Sequence, residues 1–396
     1  MRSIAVIIGT RPEAIKVAPI IRTMREDSRF RPVVVSTGQH RQMLDETLRA
    51  FDIEPCIDLG IMATRQTLSE VTYRVIQGLG EHLGSLDVDA VMVHGDTATT
   101  LAGAVAGFQH QLPVIHVEAG LRSGNVHSPF PEEANRRLVG QIAALHLAPT
   151  PGNAANLIRE GADVTRIVVT GNTVIDALQW GVRQQVEFTE PALRELEAGS
   201  DRVVLASAHR RESHGAPMPE IGRALLDIAD MGAVRVVVPM HRNPAVRDVL
   251  MPLLSGHPRI TIVDPLPYLQ FCRLMQRSDI ILSDSSGAEE EGPALGKPTL
   301  VLRDLTERPE AVAAGTARLV GRTRARIAAE VQRILLDDVA YAEMATAVNP
   351  YGDGRATERV LAGMCQFFDM GPSVPPFVPG IRTIPRTPLP ARLVAA

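Results

Sequence analysis

Short apolar runs alternate with longer amphipathic stretches along most of this 396-residue chain. Continuous apolar runs of this kind are typical of strands buried on both faces, as in a parallel sheet covered by helices. They form two series, at residues 3–8, 32–36, 90–93, 114–117, 145–148 and 167–169, and at residues 203–206, 234–238, 260–263, 280–283 and 299–302. The pattern predicts an α/β protein with two doubly wound domains.

A change in composition separates the two series. The apolar pattern stops in a polar stretch at 183–201 and then begins again. Because the chain is two to nearly three times as long as the ~100–200 residues of one domain, we predict an N-terminal domain at 1–180 and a C-terminal domain at 181–354. We expect residues 355–370 to pack back on the N-terminal domain, and seven prolines predict an extended tail at 371–396.

Charge and cysteine spacing disfavour several classes of protein. The 41 basic and 45 acidic side chains give a net charge of −4, which argues against a nucleic-acid binder. Cys56, Cys272 and Cys365 are too far apart for a disulfide framework or a zinc cluster, so we expect no metal and a reducing, cytoplasmic location. The run at 3–8 is too short for a signal peptide and no run of 18 apolar residues occurs, so we expect no membrane segment.

The first apolar run ends in a turn at 9–13, and Pro12 is suited to begin a helix there. A tight turn that leads into a helix N-terminus can bind an anion, although an ordinary βα turn has the same pattern. Only two of the 41 basic side chains are lysines, Lys16 and Lys297. Lys16 lies one turn into that helix, which suggests a role that arginine cannot fill.

Carboxylates follow the next strands of the first series. Asp96 follows the run at 90–93 after His94 and Gly95, and Glu118 comes directly after the run at 114–117. The carboxyl ends of adjacent parallel strands meet at one crevice, so we expect these two side chains to share it. A helix N-cap is the alternative for Asp96. Glu132 lies in the first turn of a predicted helix, where a carboxylate can also simply stabilise the helix dipole.

Two segments of the second series have the residues of a phosphate site. His209 stands beside two arginines after the run at 203–206, which makes an electropositive strand end. The run at 280–283 is followed by a turn with hydroxyl and backbone donors and then by three glutamates at 289–291. These glutamates either stabilise a helix terminus or include one that accepts the hydroxyls of a ribose.

Read together, these segments resemble the motifs of one enzyme family. In chain order they are GTRPEAIKVAP, TGQHRQMLDE, VHGDTATT, HVEAGLRSG, SPFPEEANRR, TGNTVIDAL, AHRRES, SDSSGAEEEGPALGKP, RDLTERPEAV, GTARLVG and NPYGDG. Over about residues 4–368 the chain resembles the non-hydrolysing UDP-N-acetylglucosamine 2-epimerases. The resemblance implies two Rossmann-like domains in a fold like that of GT-B glycosyltransferases, with the active site in the interdomain cleft.

The resemblance also implies an activity and an assembly. The activity is reversible interconversion of UDP-N-acetylglucosamine (UDP-GlcNAc) and UDP-N-acetylmannosamine (UDP-ManNAc), by elimination of UDP to a 2-acetamidoglucal and its re-addition. The assembly is a homodimer. Neither a metal nor a nicotinamide cofactor is required.

Residue roles follow from the resemblance at matching positions. The acid and base candidates are Asp96, Glu118 and Glu132, with Lys16 and His209 near the reacting sugar and diphosphate. Contacts with UDP are implied for Arg11, Leu266, Phe271, Ser285, Ser286, Gly287, Glu291 and Arg308. These residue types fit that ligand, because hydroxyls suit phosphate, a carboxylate suits a diol and an aromatic face suits a base.

A narrower resemblance concerns regulation. Family members that UDP-GlcNAc activates at a second site carry two glutamines, an arginine and a histidine at positions that match Gln39, Gln42, Arg65 and His241. The match implies that UDP-GlcNAc is also an allosteric activator. The alternative is that these four are solvated loop and helix residues.

Two residues depart from the family pattern. Ser286 replaces a glycine in the turn, and Glu289 replaces a glutamine, which brings negative charge near an anion site unless the side chain points away.

Three other functions are alternatives to this epimerase activity, because a fold does not fix a reaction. They are a GT-B glycosyltransferase, a hydrolysing epimerase and a catalytically silent UDP-sugar sensor. The two carboxylates at facing strand ends favour epimerisation.

Overall fold

Two parallel sheets carry the fold, one in each of two units of the chain. The computed structural model describes residues 1–38, 41–63, 66–372 and 374–380. The first unit comprises Met1–Ala177 and Tyr351–Pro379, and the second comprises Leu178–Pro350. The fold-class prediction, α/β with two doubly wound domains, is confirmed.

The first unit alternates strands and helices, and a late helix returns to it. Its strands are β1 (Arg2–Ile8), β2 (Phe30–Ser36), β3 (Ile57–Asp58), β4 (Ala90–His94), β5 (Val114–Val117), β6 (Leu145–Ala148) and β7 (Ile167–Val169). Its helices are α1 (Arg11–Glu26), α2 (Arg41–Ala50), α3 (Leu68–Leu83), α4 (Ala98–Gln109), α5 (Glu132–Ile142), α6 (Pro151–Arg159), α7 (Thr173–Arg183), which continues into the second unit, and α16 (Ala356–Phe367).

The strand order of the first sheet is β3-β2-β1-β4-β5-β6-β7, with every pair parallel. The central strands are apolar on both faces; in β1, for example, no side chain from Ile4 to Ile8 is more than 1% exposed. The chain leaves β1 on one side to form β2 and β3, and then continues on the other side with β4. The carboxyl ends of β1 and β4 therefore form the switch point at which open α/β sheets bind ligands.

The second unit repeats this design with one strand fewer. Its strands are β8 (Arg202–Ser207), β9 (Val234–Pro239), β10 (Ile260–Val263), β11 (Ile280–Ser283), β12 (Thr299–Val301) and β13 (Ala317–Leu319). Its helices are α8 (Pro191–Ala198), α9 (Pro217–Ala229), α10 (Pro244–Leu254), α11 (Tyr268–Arg277), α12 (Ala288–Ala294), α13 (Pro309–Ala313), α14 (Arg324–Leu336) and α15 (Asp338–Thr346).

The strand order of the second sheet is β10-β9-β8-β11-β12-β13, again parallel throughout. Its switch point lies between β8 and β11, so the segments that follow Ser207 and Ser283 meet at one edge. An apolar core that includes Val204, Val236 and Leu282 supports this sheet. Both candidate phosphate segments thus follow strands that are packed in this core.

Part of the Pro-rich segment is packed against the first unit. Phe377 is 3% exposed, and its backbone N–H donates to Val169 O at 2.8 Å. Residues 381–396 lie outside the described residues. Among the residues that the structure describes, no helix is long and apolar enough to cross a membrane.

Candidate active site

The turn after β1 is tied to the start of α4 by one buried carboxylate. Glu13 accepts hydrogen bonds from the backbone N–H groups of Gly9 (2.8 Å) and Thr10 (2.7 Å) and from Thr97 Oγ1 (2.5 Å). Burial raises the pKa of Glu13, and these hydrogen bonds oppose that shift. Gly9 has no room for a side chain, since a Cβ would lie 2.2 Å from Thr99 Oγ1. This close packing fixes the first turns of α1 and so the position of Lys16.

Lys16 and Glu118 form a nearly buried ion pair at the switch point of the first sheet. Lys16 Nζ donates to Glu118 Oε2, and only 11% and 10% of the two side chains are exposed. Asn172 Nδ2 donates to the same oxygen at 2.8 Å. The backbone φ of Glu118 is +62°, a left-handed conformation that non-glycine residues rarely adopt. Such conformations occur often at functional sites, where the surrounding structure compensates for the strain.

His94, at the end of β4, lies against this ion pair. Its Nε2 is 3.8 Å from Glu118 Oε2, and neither ring nitrogen has a hydrogen-bond partner among the described residues. Burial, together with the nearby charge of Lys16, lowers the pKa of His94 to about 4, although the charges of Glu118 and Asp96 oppose the shift. The imidazole is therefore neutral at physiological pH.

Asp96 is held by an arginine rather than by a helix terminus. Arg136 of α5 donates to Asp96 Oδ2 through Nη2 and through Nε (3.1 Å), and its Nη1 donates to Glu133 Oε2 at 3.0 Å. The N-cap of α4 is Thr97, so the alternative reading of Asp96 as the N-cap is wrong. A quarter of the Asp96 side chain is exposed. The carboxylate is therefore both oriented and accessible.

Glu132 and Arg11 lie at helix starts in the same unit. Glu132 is the first residue of α5, and its buried Oε2 has no hydrogen-bond donor among the described residues. Arg11 is the first residue of α1 and is half-buried. The described contacts bring Lys16 to Glu118, whereas they include none from Glu132 to either residue.

In the second unit, Asp284 orders the segment that carries His209. Asp284 is fully buried and accepts hydrogen bonds from the backbone N–H groups of His209 and Arg210 (both 2.9 Å) and from Ser213 Oγ (2.8 Å). The His209 ring stacks on His241 with 5.2 Å between centroids. Burial lowers the pKa of His209, although the charge of Asp284 opposes this effect.

The turn after β11 is half-buried and rich in hydroxyls. Ser286 Oγ accepts a hydrogen bond from Arg210 Nη2 at 2.7 Å, so this serine binds an arginine at this edge of the sheet. The backbone N–H of Ser285 donates to Ser283 Oγ at 3.0 Å. The turn thus brings Ser285, Ser286 and Arg210 to the switch point of the second sheet.

The three consecutive glutamates of α12 have different surroundings. Glu289 is buried and accepts from Thr306 Oγ1 at 2.7 Å, whereas Glu290 accepts from Arg308 Nε at 2.7 Å. Glu291 reaches back toward the turn, because a Cβ at Gly287 would lie 3.2 Å from its Oε2. Glu291 is therefore the member of the triplet that faces the serine turn.

Of the remaining predicted residues, some lie at or near the start of α11, and others are not described by the structure. Leu266 is buried just before α11, and Phe271 lies half-buried in its first turn. Gln39 and Arg65 lie outside the described residues, and the side chain of Gln42, in α2, is not described. Among the described residues, no three His, Cys, Asp or Glu side chains are arranged to hold a metal ion.

Comparison with known proteins gives the family. The model of the UDP-N-acetylglucosamine 2-epimerase family matches residues 22–364. The UDP-N-acetylglucosamine 2-epimerase of Escherichia coli (strain K12) is 48% identical over 365 residues, which are 90% of this chain and 97% of that protein. This chain belongs to the UDP-N-acetylglucosamine 2-epimerase family. The family prediction is confirmed.

Solved structures of the epimerase family share the fold. The Neisseria meningitidis UDP-GlcNAc 2-epimerase bound to UDP-GlcNAc is 42% identical, with a TM-score of 0.85 over 92% of this chain and 100% of that chain. The S. aureus MnaA structure with UDP is 41% identical, with a TM-score of 0.87 over 96% and 100% of the two chains.

The sequence reasoning missed three residues that contact predicted site residues. Asn172 and Asp284 stand inside the quoted segments TGNTVIDAL and SDSSGAEEEGPALGKP, and Arg136 in SPFPEEANRR. The available signal was position, because Asn172 and Asp284 each come shortly after a predicted strand. Their partners Glu118 and His209 are distant in sequence, so the spacing could not reveal the contacts.

Replacing Glu289 with glutamine is expected to stabilise this epimerase above neutral pH. Burial raises the pKa of Glu289 from 4.5 to about 7, although the Thr306 hydrogen bond opposes the shift. Because the folded state resists ionisation, native stability falls as pH rises from about 4.5 through 7. Urea unfolding of Glu289→Gln should therefore show a gain of about 1–3 kcal/mol at pH 8 that shrinks toward pH 5.

Glu330→Gln is the matched control for this measurement. Arg333 and Arg318 donate to the Glu330 carboxylate, and the pKa of Glu330 is lowered by these hydrogen bonds and charges, against the effect of its partial burial. This variant should show no gain at pH 8. An equal gain in both variants would mean that general surface charge, not the burial of Glu289, sets the effect.

Proposed function

We propose that this chain catalyses reversible epimerisation at C2 of UDP-GlcNAc, which gives UDP-ManNAc. The observation that carries the proposal is the pair of carboxylates after the adjacent strands β4 and β5, Glu118 bound to Lys16 and Asp96 bound to Arg136. Support also comes from the N. meningitidis epimerase, whose structure contains UDP-GlcNAc. The proposed mechanism uses no metal or nicotinamide cofactor.

The chemistry explains why two carboxylates are needed. One carboxylate removes the C2 proton while the C1–O bond breaks, and the electron pair of that bond leaves with UDP. The products are a 2-acetamidoglucal, a protonated carboxyl and the UDP anion. UDP oxygen then forms a new bond to C1 as a second group delivers a proton to the other face of C2. Each acid/base group contributes ~10²–10⁴-fold to such a reaction.

Asp96 and Glu118 are the proposed acid/base pair. Lys16 stabilises the charged form of Glu118 and can also face the developing charge of the leaving diphosphate. Glu132, whose Oε2 is buried without a donor among the described residues, is the proposed third carboxyl group near the sugar. His209, held at its backbone by Asp284, is proposed to act near the diphosphate.

The proposed UDP contacts divide by chemistry. The Ser285 and Ser286 hydroxyls with Gly287 suit the diphosphate, with Arg11 and Arg308 as cations. Support for Glu291 as the ribose acceptor comes from its position beside the serine turn. The half-buried ring of Phe271 and the backbone of Leu266 are proposed to contact uracil.

Incubation with UDP-GlcNAc in D₂O tests the proposed function. The reaction contains EDTA and no nicotinamide, and it is followed by ¹H NMR. We expect an equilibrium mixture of UDP-GlcNAc and UDP-ManNAc, with deuterium at C2 of both sugars. Deuterium enters because the abstracted proton exchanges with solvent before it returns. Epimerisation with full retention of the C2 hydrogen would contradict the elimination mechanism.

The same time course separates the rival functions. A hydrolysing epimerase would release free ManNAc, and a glycosyltransferase would leave C2 unlabelled and would consume the donor only when an acceptor is added. A silent UDP-sugar sensor would leave the NMR spectrum unchanged.

Regulation, assembly and location remain parts of the proposal. We propose UDP-GlcNAc as an allosteric activator that contacts Gln39, Gln42, Arg65 and His241, and the homodimer as the active form. The stack of His241 on His209 supports the regulatory part, because it joins a proposed activator contact to a proposed catalytic residue. The cytoplasmic location rests on cysteine spacing alone.

A further inference from the structure

The carboxamide of Asn172 is held at both ends. Asn172 is 2% exposed, its Oδ1 accepts the backbone N–H of Val174 at 3.1 Å, and its Nδ2 donates to Glu118 Oε2 at 2.8 Å. Because Oδ1 is used by a group that can only donate, a flipped amide would lose both hydrogen bonds. The side chain therefore has one orientation in which it presents a donor to Glu118.

The loop that carries Asn172 is held by the chain that returns after the second unit. The Asn172 N–H donates to Tyr351 O at 2.6 Å, and Arg359 Nη1 donates to Thr170 O at 3.3 Å. Gly171 adopts φ +83°, and a Cβ there would lie 3.4 Å from Gly352 Cα. These two hydrogen bonds hold the loop, so its position sets that of the Asn172 amide.

Arg359 is in turn fixed by two groups. Asp353 accepts from both its Nη atoms at 2.8 Å, a bidentate pair, and the Arg359 guanidinium lies 5.5 Å from the centre of the Phe377 ring. Phe377 is bound at its backbone to Val169 of β7. A continuous set of contacts thus runs from the start of the Pro-rich segment to the loop that holds Asn172.

We propose that Asn172 is a positioning residue for Glu118, and that Tyr351 and Arg359 keep its loop in place. Two donors on one oxygen, Lys16 Nζ and Asn172 Nδ2, fix the carboxylate in a single orientation, whereas Lys16 alone could follow it through rotations. The kinetic consequence rests on the proposed function, but the hydrogen bond and its effect on the carboxylate do not.

A neutral donor suits this position for an electrostatic reason. Glu118 contacts Lys16 from α1 and His94 from β4, and Asp96 acts on the same imidazole. A second cation would make proton uptake by Glu118 too unfavourable, and an acidic residue would repel it. An amide orients the carboxylate without adding a charge beside it.

Asn172→Asp is the sharpest test, because it keeps the acceptor for the Val174 N–H and replaces the donor that faces Glu118 by an acceptor. We expect the midpoint of the acid limb of kcat/KM to rise by roughly one pH unit or more. We also expect kcat at pH 7 to fall at least ~10-fold, with the KM for UDP-GlcNAc changed less than about threefold. Asn172→Ala should shift the limb in the same direction by a smaller amount.

Asn156→Ala is the matched control. Its Nδ2 donates to Gly120 O at 3.0 Å in the same unit, so the variant also removes a half-buried amide hydrogen bond, but not one to a carboxylate. It should leave the pH profile unchanged. If Asn172→Asp and Asn156→Ala both keep the wild-type profile, the positioning role is overturned.

A titration that does not depend on turnover separates this proposal from the proposed function. The ¹³C signal of the Glu118 carboxyl, assigned by its loss in Glu118→Gln, should titrate at higher pH in Asn172→Asp than in wild type. A shifted midpoint in a protein that does not epimerise UDP-GlcNAc would support the positioning role and overturn the proposed function. An unshifted midpoint in a protein that does epimerise UDP-GlcNAc would overturn the positioning role and support the proposed function.

Discussion

Glu118→Gln is expected to lower kcat by roughly 10²- to 10⁴-fold, with a small change in the KM for UDP-GlcNAc. Glutamine keeps the shape, and its single carbonyl oxygen can still accept from Lys16 and Asn172, so the switch point stays intact. The amide cannot take up or deliver the C2 proton. The loss should therefore fall on the chemical step, measured as kcat at saturating substrate.

Isotope exchange in this variant should show which face of the sugar Glu118 serves. If Glu118 acts on the UDP-GlcNAc face, the variant should still exchange the C2 hydrogen of UDP-ManNAc with D₂O through the other carboxylate, without forming UDP-GlcNAc. If Glu118 acts on the UDP-ManNAc face, the variant should instead exchange the C2 hydrogen of UDP-GlcNAc, without forming UDP-ManNAc. Wild-type turnover by Glu118→Gln would require the bases to be reassigned.

Glu160→Gln is the control for that variant. Glu160 accepts from Arg122 Nη2 (2.6 Å) and Nε (2.8 Å) in the same unit, so the change also converts an ion-paired glutamate to its amide. It makes no described contact with Lys16, Asp96 or Glu118. We expect kcat within about twofold of wild type.

Strand positions followed from sequence wherever a strand is buried on both faces. The predicted runs at 114–117 and 145–148 have the same bounds as β5 and β6, whose residues are all buried. Two strands at sheet edges, β3 and β13, were not predicted. Each has only two or three residues and is partly exposed, so neither contains a run that local hydrophobicity can identify.

The site was predicted as a set of residue types, but not as a set of contacts. The carboxyl ends of neighbouring parallel strands meet, so the spacing of Asp96 and Glu118 after two strands was enough to expect them at one edge. Their cations, Arg136 and Lys16, lie 40 and 102 residues away in the chain. No periodic pattern encodes such pairings, because they depend on where side chains from different helices come together. For the same reason the amide of Asn172 carried no signal of its own.

Asp284→Ala is expected to cost about 3–5 kcal/mol of stability, the second large effect, and to weaken UDP binding. The carboxylate is fully buried and is the shared acceptor for the His209 and Arg210 N–H groups and for Ser213 Oγ. Removing it leaves three donors, one buried and two partly buried, without this acceptor, and each hydrogen bond to a charged group contributes about 1.5–3 kcal/mol, not additively. The segment that carries His209 should lose its fixed conformation.

The expected loss of UDP binding follows from the position of the segment that carries His209. Arg210 also donates to Ser286 Oγ, so disorder at 209–213 removes an arginine from the serine turn as well as moving His209. We therefore expect Asp284→Ala to weaken UDP binding at least ~10-fold by calorimetry. Asp284→Asn should be intermediate, because its one carbonyl oxygen can accept while its amide N–H groups face other donors.

Asp279→Ala at the opposite end of β11 is the matched control for Asp284→Ala. Asp279 also accepts a backbone N–H, that of Val203 at 2.8 Å, but its side chain is 23% exposed. We expect this variant to cost about 1–2 kcal/mol in urea unfolding and to bind UDP as wild type does. Equal loss of UDP binding in both variants would mean that general weakening of the second sheet is responsible. Loss in Asp284→Ala alone would mean that the buried carboxylate acts by holding His209 and Arg210 at the switch point.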